Sequence, residues 1–237
     1  MGLSRNDFIE QAFVLEPEGL KHIDRLYSEL PGEKTFTVET EDKYKNTYKT
    51  VDDLINLENP KSNQIKKIDF RLSSRDPYLT ANISFEKDRT NNIYTHFVAD
   101  SDEYTPIFDK LLYRIEATKP WYSKLSKTDF ITYSLIAYFL LNVFGWILVA
   151  LEVVQTSSGE SDTQVEALAR LLVFGIIGVL LFLGWLMNKF RNVVFPSGTF
   201  VIGHEAKRHK TLDKVRWTVV VGSALALTFS MFELIIF

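Results

Sequence analysis

Four histidines, His22, His96, His204 and His209, are the first residues of this chain equipped for acid–base or metal chemistry. His204 and His209 stand five apart. A helix of about 3.6 residues per turn sends such a pair to different sides, so one helix does not present both to a metal. The acidic pairs Asp52-Asp53 and Glu41-Asp42 fit a helix N-terminus and a solvated turn. There is no cysteine, which removes thiolate chemistry and disulfides. There is also no phosphate-binding glycine loop, dinucleotide turn, nucleophile elbow or zinc-protease helix. The expectation is a non-enzyme, with no catalytic residue, metal or cofactor assigned.

Polar side chains concentrate instead inside three apolar runs. In the first run Ser134, Tyr138, Asn142, Gly145 and Glu152 return at helical steps to one side. In the third, Gly222, Ala226, Ser230 and Glu233 do the same, and the second carries Gly175 and Gly178. Small residues let helices approach closely, and Asn or Ser can hydrogen-bond across the contact. The favoured reading is helix packing, within one chain or between copies. The alternative is a pore: Glu152 and Glu233 fall at the outward ends of their runs, where carboxylates can ring the mouth of an oligomeric cation channel. Against it, carboxylates near a span end reach water at little cost.

The runs cover residues 130–154, 167–187 and 217–237. A helix rises about 1.5 Å per residue, so about 20 apolar residues cross a hydrocarbon core about 30 Å thick. Three transmembrane helices are expected. Lys119, Lys124 and Lys127 precede the first. Residues 155–166 hold no Lys or Arg and carry Glu160, Asp162 and Glu166. Lys189, Arg191, Lys207, Arg208, Lys210, Lys214 and Arg216 lie between the second and third. The positive-inside rule then places the N-terminus and the basic loop in the cytoplasm and the C-terminus outside a plasma (inner) membrane. Trp121, Tyr122, Trp146, Trp185 and Trp217 stand near span ends or mid-span, and most suit interfacial anchoring.

The net charge of −3 hides an asymmetry. Residues 1–118 hold 16 Lys and Arg against 22 Asp and Glu, and the remainder holds 11 against 8. An acidic domain lacks the basic footprint of a nucleic-acid binder, so no nucleic-acid partner is expected. The opening MGLSRNDF has no apolar core of a signal peptide, and Asn6 stands where myristoylation requires Ser or Thr.

Residues 1–118 read as an α+β cytoplasmic domain, a mainly antiparallel sheet with helices on one face. Residues 6–14 are a short amphipathic segment. Leu20, Ile23, Tyr27 and Leu30 share a helical face between Pro17 and Pro31-Gly32. Phe36 and Val38 alternate as in a strand, and residues 44–49 pair back as a hairpin. Thr50 caps a short helix at 51–57, with Asp53 at its third position. Ile68, Phe70 and Leu72, then Leu79, Ala81, Ile83 and Phe85, then Ile93, Thr95 and Phe97 predict an antiparallel meander. A final helix over about 101–118 carries Tyr104, Ile107, Phe108, Leu111, Leu112 and Ile115 on one face.

Residues 119–237 read as the membrane domain, with a basic cytoplasmic hairpin-helix loop at 188–216. Within it, residues 193–203 suggest a tight hairpin around Pro196-Ser197-Gly198, followed by a basic helix. Lys207, Arg208, Lys210, Lys214 and Arg216 suit either anionic lipid headgroups or docking onto the acidic domain. No motif assigns a family. The plan of a small cytoplasmic domain ahead of a few spans is similar to that of bacterial stress and antiviral-defence membrane effectors, an analogy of architecture alone. The leading expectation is a homo-oligomeric sensor–effector. Its cytoplasmic domain binds a cytosolic protein or small ligand, and its membrane helices alter permeability, with signalling or ion-channel character. The alternative is a non-transporting membrane anchor or scaffold that recruits a cytosolic partner.

Overall fold

The computed structural model describes residues 2–87, 92–150 and 163–236. They form two compact units, one running to Ser126 and resuming at Val194, the other within Lys127–Val193.

The first unit is built on a six-stranded antiparallel sheet in the order β1-β7-β6-β5-β3-β4. Its strands are β1 (Leu3–Ile9), β3 (Glu33–Thr40), β4 (Lys45–Tyr48), β5 (Ile65–Arg75), β6 (Tyr78–Glu86) and β7 (Ile93–Ala99). The apolar alternation sets the register. Phe70 stands opposite Phe36 on one side and Ile83 on the other, and all three are buried. Their neighbours Asp69, Thr37 and Ser84 form the opposite, polar face. Helices α1 (Pro17–Ser28), α2 (Val51–Ile55) and α3 (Thr105–Ala117) add Leu20, Ile23, Tyr27, Leu54, Phe108 and Leu111 to the core. The Phe108 ring stacks on Phe97 with centroids 4.6 Å apart. Tyr27 is fully buried and donates its hydroxyl to the Ala81 carbonyl at 3.3 Å. Burial pushes its phenol pKa well up. Thr50 caps α2, its hydroxyl accepting from the Asp53 amide at 3.2 Å. The N-terminal part is thus α+β, as its patterning implies.

The amphipathic segment at 6–14 resolves into the end of edge strand β1 and a separate strand, β2 (Phe13–Leu15). The expected hairpin at 193–203 does not form. Val193 and Val194 close helix α6 (Thr163–Val194), and β8 (Gly198–Phe200) pairs parallel with β2 instead. Phe13, Leu15, Phe200 and Ile202 all belong to the main core. The local pattern named a strand correctly but named the wrong partner, because the matching apolar strand lies near the start of the chain. Short α4 (Ser123–Ser126) follows α3, and the long helix α7 (His204–Ile236) completes this unit.

The second unit pairs α5 (Phe130–Ala150) with the rest of α6. A polar clamp joins their ends. The Asn188 carbonyl oxygen accepts from the Phe130 amide at 2.8 Å, and its amide nitrogen donates to Asp129 at 2.7 Å. Arg191 donates to the Thr128 carbonyl. Hydrogen bonds from the Thr132 hydroxyl and from Asn188 hold the Asp129 pKa below its usual value. Gly184 lets the two backbones close up: a Cβ there would meet Ser134 Oγ at 2.6 Å and the Phe130 carbonyl at 3.1 Å.

Helix α5 covers 130–150 of the first expected span, α6 contains the second, and α7 contains the third to residue 236. Among the described residues, Ile177–Val194 is long and apolar enough to cross a membrane by length and composition, and Phe130–Leu140 is a shorter apolar stretch.

Candidate functional site

The arrangement with the clearest functional consequence is the joint that fixes α7 to the α+β core. It begins with backbone pairing. The Phe13 amide donates to the Ser197 carbonyl at 3.1 Å, and the Val201 amide to the Leu15 carbonyl at 2.9 Å. The Val14 amide turns the other way and donates to the Thr118 carbonyl at 2.8 Å. Strand β2 therefore touches both exits from the domain, the one through β8 into α7 and the one through Thr118 towards α5.

Side chains lock the same segment. Asn59 donates to the Phe200 carbonyl at 3.3 Å, and its own oxygen accepts from the Ile65 amide at 2.8 Å. Asn92 donates to the Ser197 carbonyl at 2.8 Å. The first amide of α7, on His204, donates to the Glu58 carbonyl at 2.8 Å. Gly203 makes that approach feasible. Its φ is +56°, and a Cβ there would collide with the Glu58 and Leu57 carbonyls.

Arg216 closes the joint. It has no exposed surface. Its Nε donates to the Val194 carbonyl at 2.6 Å, and its guanidinium lies 4.4 Å from the Tyr122 ring centroid. Nη1 stands 3.5 Å from His209 Nε2 and 3.6 Å from Asp213, while Nη2 has no hydrogen-bond partner among the described residues. Tyr122, Val194 and Phe195 form a second small apolar cluster around it, edged by Trp121 and Trp217. Burial raises the Tyr122 phenol pKa, and Arg216 opposes that shift. Ser123 ties α4 to the same place, its hydroxyl accepting from the Ala12 amide at 2.9 Å.

Next to the joint, between α1 and α3, lies a cleft of about 420 Å³ lined by Val14, Glu16, His22, Arg114, Thr118 and Lys119. A second cleft of about 510 Å³ shares His22 and Arg114 and continues past Arg25 and Tyr113. Both fall within the size range of small-molecule sites.

The residues singled out from sequence separate on the structure. Of the five basic residues, Arg216 is inside the protein. Arg208 is half-exposed and paired with buried Glu205 at 2.7 Å, while Lys207, Lys210 and Lys214 are exposed. Ser134 bonds back to the Phe130 carbonyl at 2.8 Å and faces Gly184, and Tyr138 is half-buried. Gly178 and Gly222 are exposed, with nothing within 4 Å of an added Cβ. Glu152 lies outside the described residues, as do the side chains of Asn142, Ala226, Ser230 and Glu233 and the surroundings of Gly145 and Gly175. Sequence reasoning passed over Gly184, Asn188, Asn59 and Gly203. A glycine and an asparagine within one apolar helix were the visible signal for the first two.

His209 gives the joint a pH dependence. Burial, then the Arg216 charge, lowers its pKa, while Asp213, Glu16 and Glu205 act in the opposite direction. Between that lowered value and the ordinary one of about 6.5, the unfolded chain binds more protons than the folded one. Stability from neutral His209 is therefore complete above the ordinary value and declines as pH falls towards the folded value. Acidification from pH 7.5 to 5.5 is expected to lower the unfolding temperature more in the wild type than in His209→Gln. Parallel decreases in the two proteins would mean that His209 does not contribute.

Comparison of the chain with protein-family models, with curated proteins and with solved structures returns no match.

Proposed function

We propose that the protein is a membrane-embedded, homo-oligomeric sensor–effector. Its α+β domain, on the cytoplasmic side, takes up a cytosolic protein or small ligand. Its three long helices cross the membrane and change permeability in response. The observation that carries the reading is the joint. Strand β2 bonds at once to the segment leading to α5 and to the strand leading into α7, and the cleft beside it is lined by Val14, Thr118 and Lys119 from those same elements. Material entering the cleft meets the supports of two helices, so differential binding there biases their placement. The membrane half is supported by the exposed apolar side chains. Tyr133, Phe139 and Leu140 on α5, Val179 and Phe182 on α6, and Val221 and Leu225 on α7 are all exposed, and only 11% of the stretch Ile177–Val194 is buried. Apolar surface of that extent calls for lipid or another protein.

The test is reconstitution of the full chain in sealed liposomes with flux measured across them. Ion flux is expected, with cation preference reduced by Glu152→Gln combined with Glu233→Gln. A reporter active only outside the cytoplasm is expected to work after Phe237 and to be silent at Gly203. Correct topology with no flux in any state of the protein would favour the anchor or scaffold. The reverse topology would remove the cytoplasmic sensor altogether.

A further inference from the structure

The basic segment of α7 has two faces, and the structure assigns them different partners. Glu205, His209 and Arg216 recur at steps of four and seven and face the protein. Glu205 and Asp213, the two acids of the segment, are engaged by Arg208 at 2.7 Å and by Arg216 at 3.6 Å. Lys207, Lys210, Lys214 and Trp217 recur at steps of three, four and three on the opposite side. The three lysines are exposed, and their ammonium groups have no ion-pair partner among the described residues.

This outer face changes character along the helix. Beyond the lysines comes Trp217, 54% exposed, whose ring lies 5.6 Å from that of Trp121, 51% exposed. One and two turns further, Val221 and Leu225 are also exposed. Cations, then paired indoles, then aliphatics is the order of preferences met on passing from the anionic surface of a bilayer through its headgroups into hydrocarbon. The spacing matches. At about 1.5 Å per residue, Lys214 stands about 4.5 Å and Lys210 about 10 Å above Trp217. A headgroup layer is about 5–8 Å deep, and the lysine stem extends the reach.

We infer that this face is an anionic-phospholipid site, in which Lys210 and Lys214 hold lipid phosphates, Lys207, about 15 Å above Trp217, adds its charge at the edge of the surface potential, and the Trp121–Trp217 pair sits at the headgroup boundary. The inference rests on the membrane reading of α7 and goes further by naming the lipid class and the residues that select it. Arg208 and Arg216, although basic and close in sequence, take no part, because their charges are committed to the protein. Lipid bound here lies on the back of the helix whose front carries the joint, so membrane composition acts on the element that the α+β domain holds.

The test uses the full chain with Trp146→Phe and Trp185→Phe, which leaves Trp121 and Trp217 as the only indoles. It is placed in nanodiscs in which either phosphatidylglycerol or phosphatidylcholine is brominated at equal mole fraction. Brominated phosphatidylglycerol is expected to quench more strongly, and added salt to remove the difference. In the K207Q/K210Q/K214Q variant the preference weakens by about fivefold for each lysine removed. Replacement of Lys43, Lys45 and Lys49 by Gln, far along the sequence in the α+β domain, leaves it intact. Unchanged circular dichroism melting certifies that the variants fold. Equal quenching by the two lipids in the wild type, or a preference that survives the triple variant, overturns the lipid site while leaving the membrane reading in place. Absence of quenching by either lipid overturns both.

Discussion

Phe200→Ala is expected to destabilise the α+β domain by about 3–5 kcal/mol, the usual cost of truncating a fully packed phenylalanine. Phe200 is 1% exposed, and its ring lies 5.3 Å from Phe13, which in turn lies 5.2 Å from Phe85 on β6. Deleting the ring opens a cavity between the sheet and β2 that the surrounding backbone is poorly placed to fill. Gly198 already lies so close that a Cβ would stand 2.7 Å from the Phe13 ring, and the Phe200 carbonyl is held by Asn59 at 3.3 Å. Chemical denaturation of the detergent-solubilised protein measures the effect, with Phe8→Ala as the control. Phe8, on edge strand β1, is 63% exposed with its ring 4.9 Å from that of Tyr94, so its removal should cost less than about 1 kcal/mol. Similar losses in the two variants would mean that β8 is an accessory to the domain rather than part of its core. By the same reasoning residues 1–126 expressed alone should be aggregation-prone, since the apolar edges of Phe13 and Leu15 lose their cover.

The parts of the fold that were legible in the sequence are those decided by near neighbours. Pro17 with Leu20, Ile23 and Tyr27 marked α1, and Thr50 with Asp53 marked the cap of α2. Strict alternation through Ile68, Phe70 and Leu72 marked β5. Each signal is built from neighbours no more than about four residues apart, within the range over which periodicity and capping act. What escaped was decided over long separations. Gly198–Phe200 looks like half of a hairpin because its flanks are apolar, yet β2 offers the ladder partner and the core offers room for Phe200. The candidate site shows the same division. Five basic residues in a row of helical turns look alike on paper, and only the contact surface separates Arg216 from Lys214. Gly178 and Gly184 are both small residues in one apolar helix, but only Gly184 meets α5. Residue type advertised close packing, and tertiary contact decided where.

Arg216→Ala is expected to release α7 from the joint. The arginine makes one strong neutral–charged hydrogen bond, from Nε to the Val194 carbonyl at 2.6 Å, worth about 1.5–3 kcal/mol. Its stack on Tyr122 at 4.4 Å is desolvated and adds about 2 kcal/mol. The approach to Asp213 at 3.6 Å adds little, because that carboxylate is 45% exposed and water screens it. A loss of about 3–5 kcal/mol follows, concentrated locally rather than across the sheet. Arg216→Met keeps the volume of the stem without the charge and should recover part of it, since an apolar side chain among Tyr122, Val194 and Phe195 leaves no charge to bury. Arg216→Lys keeps the charge but cannot reach the carbonyl and lie flat on the ring together, so it should recover less than Met. The absence of native cysteine makes the measurement clean. Thr199→Cys introduces a single thiol at a position 3% exposed, on the strand that the joint clamps. Thiol labelling of this protein should be slow with Arg216 present and about a hundredfold to a few thousandfold faster with Arg216→Ala, the ratio that about 3–5 kcal/mol of local opening gives. Lys214→Ala, on the exposed face of the same helix, should leave the labelling rate unchanged. A rate that is equally slow in the Arg216→Ala protein would show that the strand pairing alone holds α7, and Arg216 would then be a buried charge with no part in the joint.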